Sequence, residues 1–298
     1  MSAIVKVSNL TKTYGDTTAV QDVSFELEEN KIYGLLGRNG AGKTTIMHML
    51  TAQQFASSGD IQVFGAAPYE NESVLRRICF IKESQKYPAT FNVKDVLEVS
   101  AMLHPNWDAA YASELTAAFG LPLKRRMQKL SRGMLSAVGV VVGLASRAPL
   151  TIFDEPYLGL DAVARSMFYD RLLADYAEHP RTVILSTHLI DEVSKLLEHV
   201  LLIDQGRLLL NEDVERLSGM AYSVVGAAAR IESFAAGKQV LSRESMGAIA
   251  SATILGEAGV QERREAAERG LEFTPVSLQQ LIVHLTGGKN GEKEAVTR

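Results

Sequence analysis

Residues 37–45 read Gly-Arg-Asn-Gly-Ala-Gly-Lys-Thr-Thr. The stretch before them, VSFELEENKIYGLLG, alternates and is rich in β-branched and aromatic residues, so it reads as strand. A helical pattern begins at Lys43 and runs to about Thr51. Strand, glycine-rich loop and helix in that order leave few possible folds, and the spacing Gly37-x4-Gly42-Lys43-Thr44 has a physical use. The glycines let consecutive backbone N–H groups point inward, where they can cradle phosphate oxygens. Lys43 can reach the outer phosphates, and the Thr44 hydroxyl suits Mg²⁺. The helix aims its positive dipole end at the same oxygens. This is the P-loop pattern with the flanks it requires.

A P-loop needs a partner for the metal. The stretch PLTIFDEP is an apolar strand that ends in Asp154-Glu155. At the carboxyl end of a parallel strand Asp154 would sit beside the loop and orient Mg²⁺. Glu155 would then be placed to polarise a water in line with the γ-phosphate. The remaining pattern supports an α/β architecture. GDIQVFG, Leu150–Phe153 and Thr182–Ser186 read as strands, and VLLIDQGRLLLN as a closing hairpin. Helical pattern runs from Asn92 to Phe119, broken at Pro105, and again over Val163–Glu178. Alternating strands and helices predict a mainly parallel sheet covered on both faces. After about Ser218 the texture changes to alanine- and glycine-rich. We expect an ATPase domain over 1–218, with a helical subdomain over about 89–148. Residues 219–298 would form a small α+β appendage, its last helix opened by a capping box of Ser277 and Gln280 and its end, 287–298, a disordered tail.

Composition narrows the function classes. The net charge of −4 shows no global basic signature, so no nucleic acid is expected as a partner. A single cysteine, Cys79, excludes a disulfide framework and fits a reducing compartment. The start, MSAIVKVSNL, does not read as a signal peptide. The most apolar stretch, Met134–Ala145, falls short of the ~18 residues a spanning helix needs, and reads as a buried core helix.

Five motifs in order give a more specific reading: GRNGAGKTT (37–45), LSRGM (130–134), TIFDEP (151–156), GLD (159–161) and STH (186–188). In order and spacing they resemble the ATP-binding cassette (ABC) ATPases, the nucleotide-hydrolysing subunits of ABC transporters. The likeness covers about the first 215 residues and is similar to the single-cassette ATPases of bacterial exporters. It implies a P-loop NTPase core of mainly parallel sheet, with an antiparallel β edge and a helical subdomain. It implies ATP and Mg²⁺ as cofactors, held by Tyr14 stacked on adenine, by Gly37, Arg38, Asn39, Gly40, Ala41, Gly42, Lys43, Thr44 and Thr45, and by Asp154. Glu155, His188 and Lys43 are the implied catalytic residues, and Asp161 the one that communicates across a dimer. LSRGM stands where the family's signature loop stands. There Ser131 and Gly133 would cap the γ-phosphate of ATP on a second subunit. The implied partners are that second ATPase subunit, identical or not, and a transmembrane permease. The implied location is the inner face of the cell membrane. A soluble ABC-type ATPase working on ribosomes or DNA is the alternative.

The chain departs from the family pattern in two places. Arg132 replaces the first glycine of the signature loop and Met134 its glutamine. In ICFIKESQKYP the position of the family's loop glutamine falls on Glu83, with Gln85 two residues later. Either could approach Mg²⁺ and the attacking water. Tyr87, Pro88 and Phe91 are candidates to contact a partner's cytoplasmic helix.

Overall fold

Two kinds of strand are distinguishable by burial. β1 (Ala3–Tyr14) and β2 (Thr17–Glu28) each mix buried and exposed residues, whereas β3 (Ile32–Leu36) is buried throughout. The chain continues through α1 (Lys43–Leu50), β4 (Ser58–Val63), α2 (Glu72–Leu75) and β5 (Ile78–Lys82). Three helices follow, α3 (Val93–Leu103), α4 (Ala109–Ala118) and α5 (Arg132–Ala145). Next come β6 (Leu150–Asp154), α6 (Ala162–Glu178), β7 (Thr182–Thr187), α7 (Ile190–Val193), β8 (His199–Asp204) and β9 (Arg207–Asp213). The structure, a computed structural model, describes residues 3–83, 85–217 and 219–287; the expected boundary at Ser218 and the tail from 288 lie outside the described residues.

The first unit comprises Met1–His188 and Leu196–Asn211. It holds a six-stranded sheet, ordered β5-β6-β7-β3-β8-β9, and a three-stranded antiparallel sheet, β2-β1-β4. From β5 to β8 the large sheet is parallel. β6 and β7, like β3, are buried at every residue, as strands covered on both faces must be. Gln205 and Gly206 join β8 to β9 with φ of 47° and 76°, the pair of positive values that a tight hairpin turn demands.

The acid-free run after Ser131 becomes α5, buried from Ser136 to Ala145. Its small residues have a packing reason. A Cβ on Gly143 would stand 2.3 Å from the Phe153 ring, and one on Gly139 would stand 2.9 Å from Ile81. The helix therefore lies directly on β5 and β6, and this close approach excludes larger side chains. α3 ends at His104, whose extended ψ of 110° is the conformation favoured before Pro105.

The second unit comprises Leu189–Lys195 and Glu212–Arg298. After α8 (Val214–Leu217) come β10 (Ala221–Ala227), α9 (Ala228–Ala235), β11 (Gln239–Met246), β12 (Ile249–Leu255), α10 (Val260–Glu268), β13 (Glu272–Pro275) and α11 (Leu278–Gly287). The strands form one antiparallel sheet, β11-β12-β10-β13, over a core that includes Tyr222, Val224, Ile231, Phe234 and Ile254. The alanine- and glycine-rich stretch thus divides into strand, helix and strand. Ser277 and Gln280 cap α11 reciprocally, at 2.9 and 3.2 Å. α7 joins this unit because it packs on α11, with Gln279 accepting from the Asp191 N–H at 3.4 Å.

Candidate nucleotide site

Strand register brings the motif residues to one level. Lys82 lies opposite Asp154, Asp154 opposite Ser186, and Leu36 opposite Thr187. The residues that follow are Glu83, Glu155, His188 and Gly37, so four motif segments emerge side by side at the carboxyl ends of the strands. That edge is where open α/β sheets take ligands.

The loop after β3 is shaped by close backbone packing. A Cβ on Gly37 would meet the Ile203 carbonyl oxygen at 2.1 Å, and one on Gly42 the Ala19 oxygen at 2.6 Å. Their φ values, 150° and 108°, also exclude ordinary side chains. The Gly206 N–H donates to the Ala41 carbonyl at 2.9 Å and pins the loop to the β8–β9 turn. Lys43, only 6% exposed, donates to the Gly37 and Arg38 carbonyls at 2.8 and 3.1 Å. Burial pushes its ammonium below the usual lysine range, and the Glu155 and Asp154 carboxylates oppose that shift. The Thr44 hydroxyl donates to Asp154 Oδ2 at 2.8 Å.

A cavity of about 520 Å³ is lined by Asn39 through Thr45, Glu83, Asp154, Glu155 and His188, with Ala19 and Leu158 completing it. Arg38 lines a neighbouring cavity that shares Asn39, Gly40, Ala41 and His188. Of the two loop candidates, Glu83 faces the first cavity. Gln85 faces another, with His48, Thr44 and Asp154, where its buried Oε1 has no hydrogen-bond partner.

Glu155 sits at φ 49°, in the left-handed region that costs a glutamate strain of about 1–3 kcal/mol. Its N–H is held by the Ser186 carbonyl at 3.1 Å. Its carboxylate stands 3.2 Å from His188 Nδ1. Tyr157, which the motifs did not bring out, organises this corner. Its hydroxyl accepts from the Thr187 hydroxyl at 3.0 Å and the His188 N–H at 3.2 Å, and lies 3.1 Å from His188 Nδ1. The sequence offered only a tyrosine in a turn, and nothing local in it signals burial to 2%.

Tyr14, Ser131, Gly133 and Asp161 do not line the main cavity. Tyr14 is 45% exposed, its hydroxyl donating to Gln54 and the Lys12 ammonium 5.0 Å above its ring. Ser131 is exposed at the start of α5, where its hydroxyl accepts from the Met134 N–H at 3.2 Å. Gly133 packs so closely that a Cβ would stand 2.6 Å from the Gly159 oxygen. Asp161 caps α6 by accepting from the Ala164 N–H at 2.8 Å. Tyr87 and Phe91 are half-buried and Pro88 is exposed, and the buried Tyr87 hydroxyl lacks a hydrogen-bond partner.

Comparison with known proteins decides the family. Residues 20–158 match the model of the ABC transporter family. The bacitracin transport ATP-binding protein BcrA of Bacillus licheniformis is 33% identical over 212 residues, which is 70% of this chain and 69% of that protein. This chain belongs to the ABC transporter ATP-binding family. The ABC transporter ATP-binding protein YtrB of Bacillus subtilis is 23% identical over 96% of this chain and 99% of its own length. Among solved structures, an ATP-binding subunit of an ABC transporter superposes with a TM-score of 0.65 at 24% identity, over 72% of this chain and 91% of that one. A dimeric cassette in a post-hydrolysis state with ADP and Pi gives 0.62 at 20%, over 70% and 98%. The cassette fold and an ATPase activity follow.

The residues present fit the nucleotide and its metal. The loop from Asn39 to Thr45 borders an open cavity with the Lys43 ammonium beside it, and Thr44 and Asp154 offer the hard oxygen donors that Mg²⁺ takes.

Proposed function

We infer that this chain is the ATP-hydrolysing subunit of an exporter, one of two cassettes that close around ATP and drive a separate membrane permease. One observation carries the reading. Lys43, Thr44, Asp154, Glu155 and His188 converge on one cavity, while Ser131 stands exposed outside it. A signature serine that does not serve its own phosphate cradle is available to another chain's. The names of relatives support the direction: BcrA is a bacitracin transport protein, and a Cupriavidus metallidurans protein 30% identical over 70% of this chain is a Nod factor export ATP-binding protein. No helix among the described residues is long and apolar enough to cross a membrane. The reading places the crossing in the permease and this chain on the membrane's inner face.

In this reading Lys43 gives up its carbonyl partners to hold the β- and γ-phosphates, and Tyr14 stacks on adenine. Thr44 and Asp154, with Glu83 alongside, would hold Mg²⁺, which would supply charge neutralisation at the phosphate oxygens. Glu155 accepts the proton of the attacking water as His188 swings from its carboxylate to the γ-phosphate. Lys43 and His188 stabilise charge developing on the transferred group. Ser131 and the first N–H groups of α5 approach from the second cassette, so ATP affinity and dimerisation reinforce each other.

Glu155→Gln with ATP on a sizing column tests the reading. We expect a stable dimer with little turnover. A monomer that hydrolyses ATP at the parental rate refutes it, and so does recovery of ribosomal proteins rather than a multi-spanning polypeptide with the native protein.

A further inference from the structure

The two departures from the family pattern meet in space. Arg132, in place of a signature glycine, forms an ion pair with Glu83, in place of the loop glutamine, across 49 residues of sequence. Both ends of this contact are directed by their surroundings. Glu83 follows β5 in register with Glu155 after β6, and its N–H donates to the Asp154 carbonyl at 3.0 Å. Gly159, at φ 95°, leaves open the space that the Arg132 stem occupies; a Cβ there would stand 2.8 Å from Arg132 Cγ.

The pair is exposed, 68% on the arginine side and 38% on the glutamate side, so it adds little to stability. Its consequence lies in the charge of the cleft. Glu83, Asp154 and Glu155 put three carboxylates on the cavity lining against one ammonium, Lys43. A glutamine in place of Glu83 would leave two. The ligand is itself a polyanion, so the third carboxylate opposes it unless a cation offsets it.

We propose that Arg132 is a positioning residue for nucleotide binding in its own chain: it holds the Glu83 carboxylate and neutralises it, which lets the cleft keep a third carboxylate and still accept ATP. This rests on the cleft being the ATP site. Arg132 acts through Glu83 and not by touching phosphate. The two substitutions therefore compensate one another, and the glutamate remains available to the metal.

The test is a double-mutant cycle on equilibrium binding of ATP in EDTA at low ionic strength, where no metal masks the carboxylates. One unit charge at roughly 9 Å and an effective dielectric of about 40 changes affinity about three- to fivefold. Arg132→Ala should weaken metal-free ATP by about that factor, and Arg132→Lys should restore it. The double variant Glu83→Gln/Arg132→Ala, which loses both charges together, should bind metal-free ATP as the parent does. An unchanged affinity in Arg132→Ala overturns the proposal. A double variant that binds as weakly as Arg132→Ala alone does so as well, because removing the Glu83 carboxylate would then offset nothing. Lys43→Ala is the control for the site. If it binds ATP as the parent does, the cleft reading has failed; if it loses ATP and the double variant stays weaker than the parent, only the Arg132 proposal has.

Discussion

Tyr157→Phe isolates one hydroxyl at the centre of the catalytic corner. The ring packs edge-on to His188, with centroids 5.7 Å apart, and phenylalanine preserves that contact. What disappears is an acceptor for the Thr187 hydroxyl and the His188 N–H, and a partner for His188 Nδ1. Leaving a buried donor without its acceptor costs about 1–3 kcal/mol, so we expect a loss near 2 kcal/mol. For a unit of roughly 200 residues that lowers Tm by about 4–8 °C. Tyr157 does not line the nucleotide cavity, so the KM for ATP should hold. If His188 contacts the γ-phosphate as proposed, freeing it costs orientation, and about 1.4 kcal/mol of that slows kcat roughly tenfold. Thermal unfolding and steady-state phosphate release read the two effects separately. If both Tm and kcat match the parent, Tyr157 does not organise this corner and the reasoning fails.

Three further substitutions follow from the same geometry. Gly37→Ala drives a Cβ into the Ile203 oxygen and should cost about 3 kcal/mol or more, whereas Gly40→Ala, at φ 79° with nothing within 4 Å, should cost only about 1–2 kcal/mol of backbone strain; denaturant midpoints would show whether that order holds. Ser131→Asp keeps the cap on Met134 and hence stability, but sets an anion where a second cassette's phosphate would come, so hydrolysis should fall at least tenfold with Tm unchanged; undiminished turnover counts against the shared site. The Cys79 thiol is pushed up to about 11 by burial, against 9 as its ordinary value. The unfolded thiol ionises first, so stability should decline between those two values, by about 2–3 kcal/mol in all, and less in Cys79→Ala. A thiol reagent at pH 8 should label Cys79 only after denaturation, and rapid labelling of the native protein refutes the burial.

Much of this protein is legible from local pattern, because local pattern acts locally. The strand before Gly37 and the helix at Lys43 follow from residues adjacent in sequence, as does the capping box of Ser277 and Gln280. The phosphate loop is legible for the same reason: its glycines and lysine lie within nine residues. Spacing also gave the order of the motifs, but not their meeting, which depends on the parallel register of β5, β6, β7 and β3. Three outcomes belong to tertiary structure alone. Tyr157 becomes a hub because a turn folds it under Thr187 and His188, thirty residues on. Glu83 lines the main cavity and Gln85 only the neighbouring one, which Glu83 also borders, because both walls are assembled from segments distant in sequence. Arg132 and Glu83 are separate oddities along the chain and a charge pair in space, because Gly159 opens the path between them. Propensity and periodicity act over a few residues, whereas charge balance in a cleft depends on everything that the fold brings to its walls.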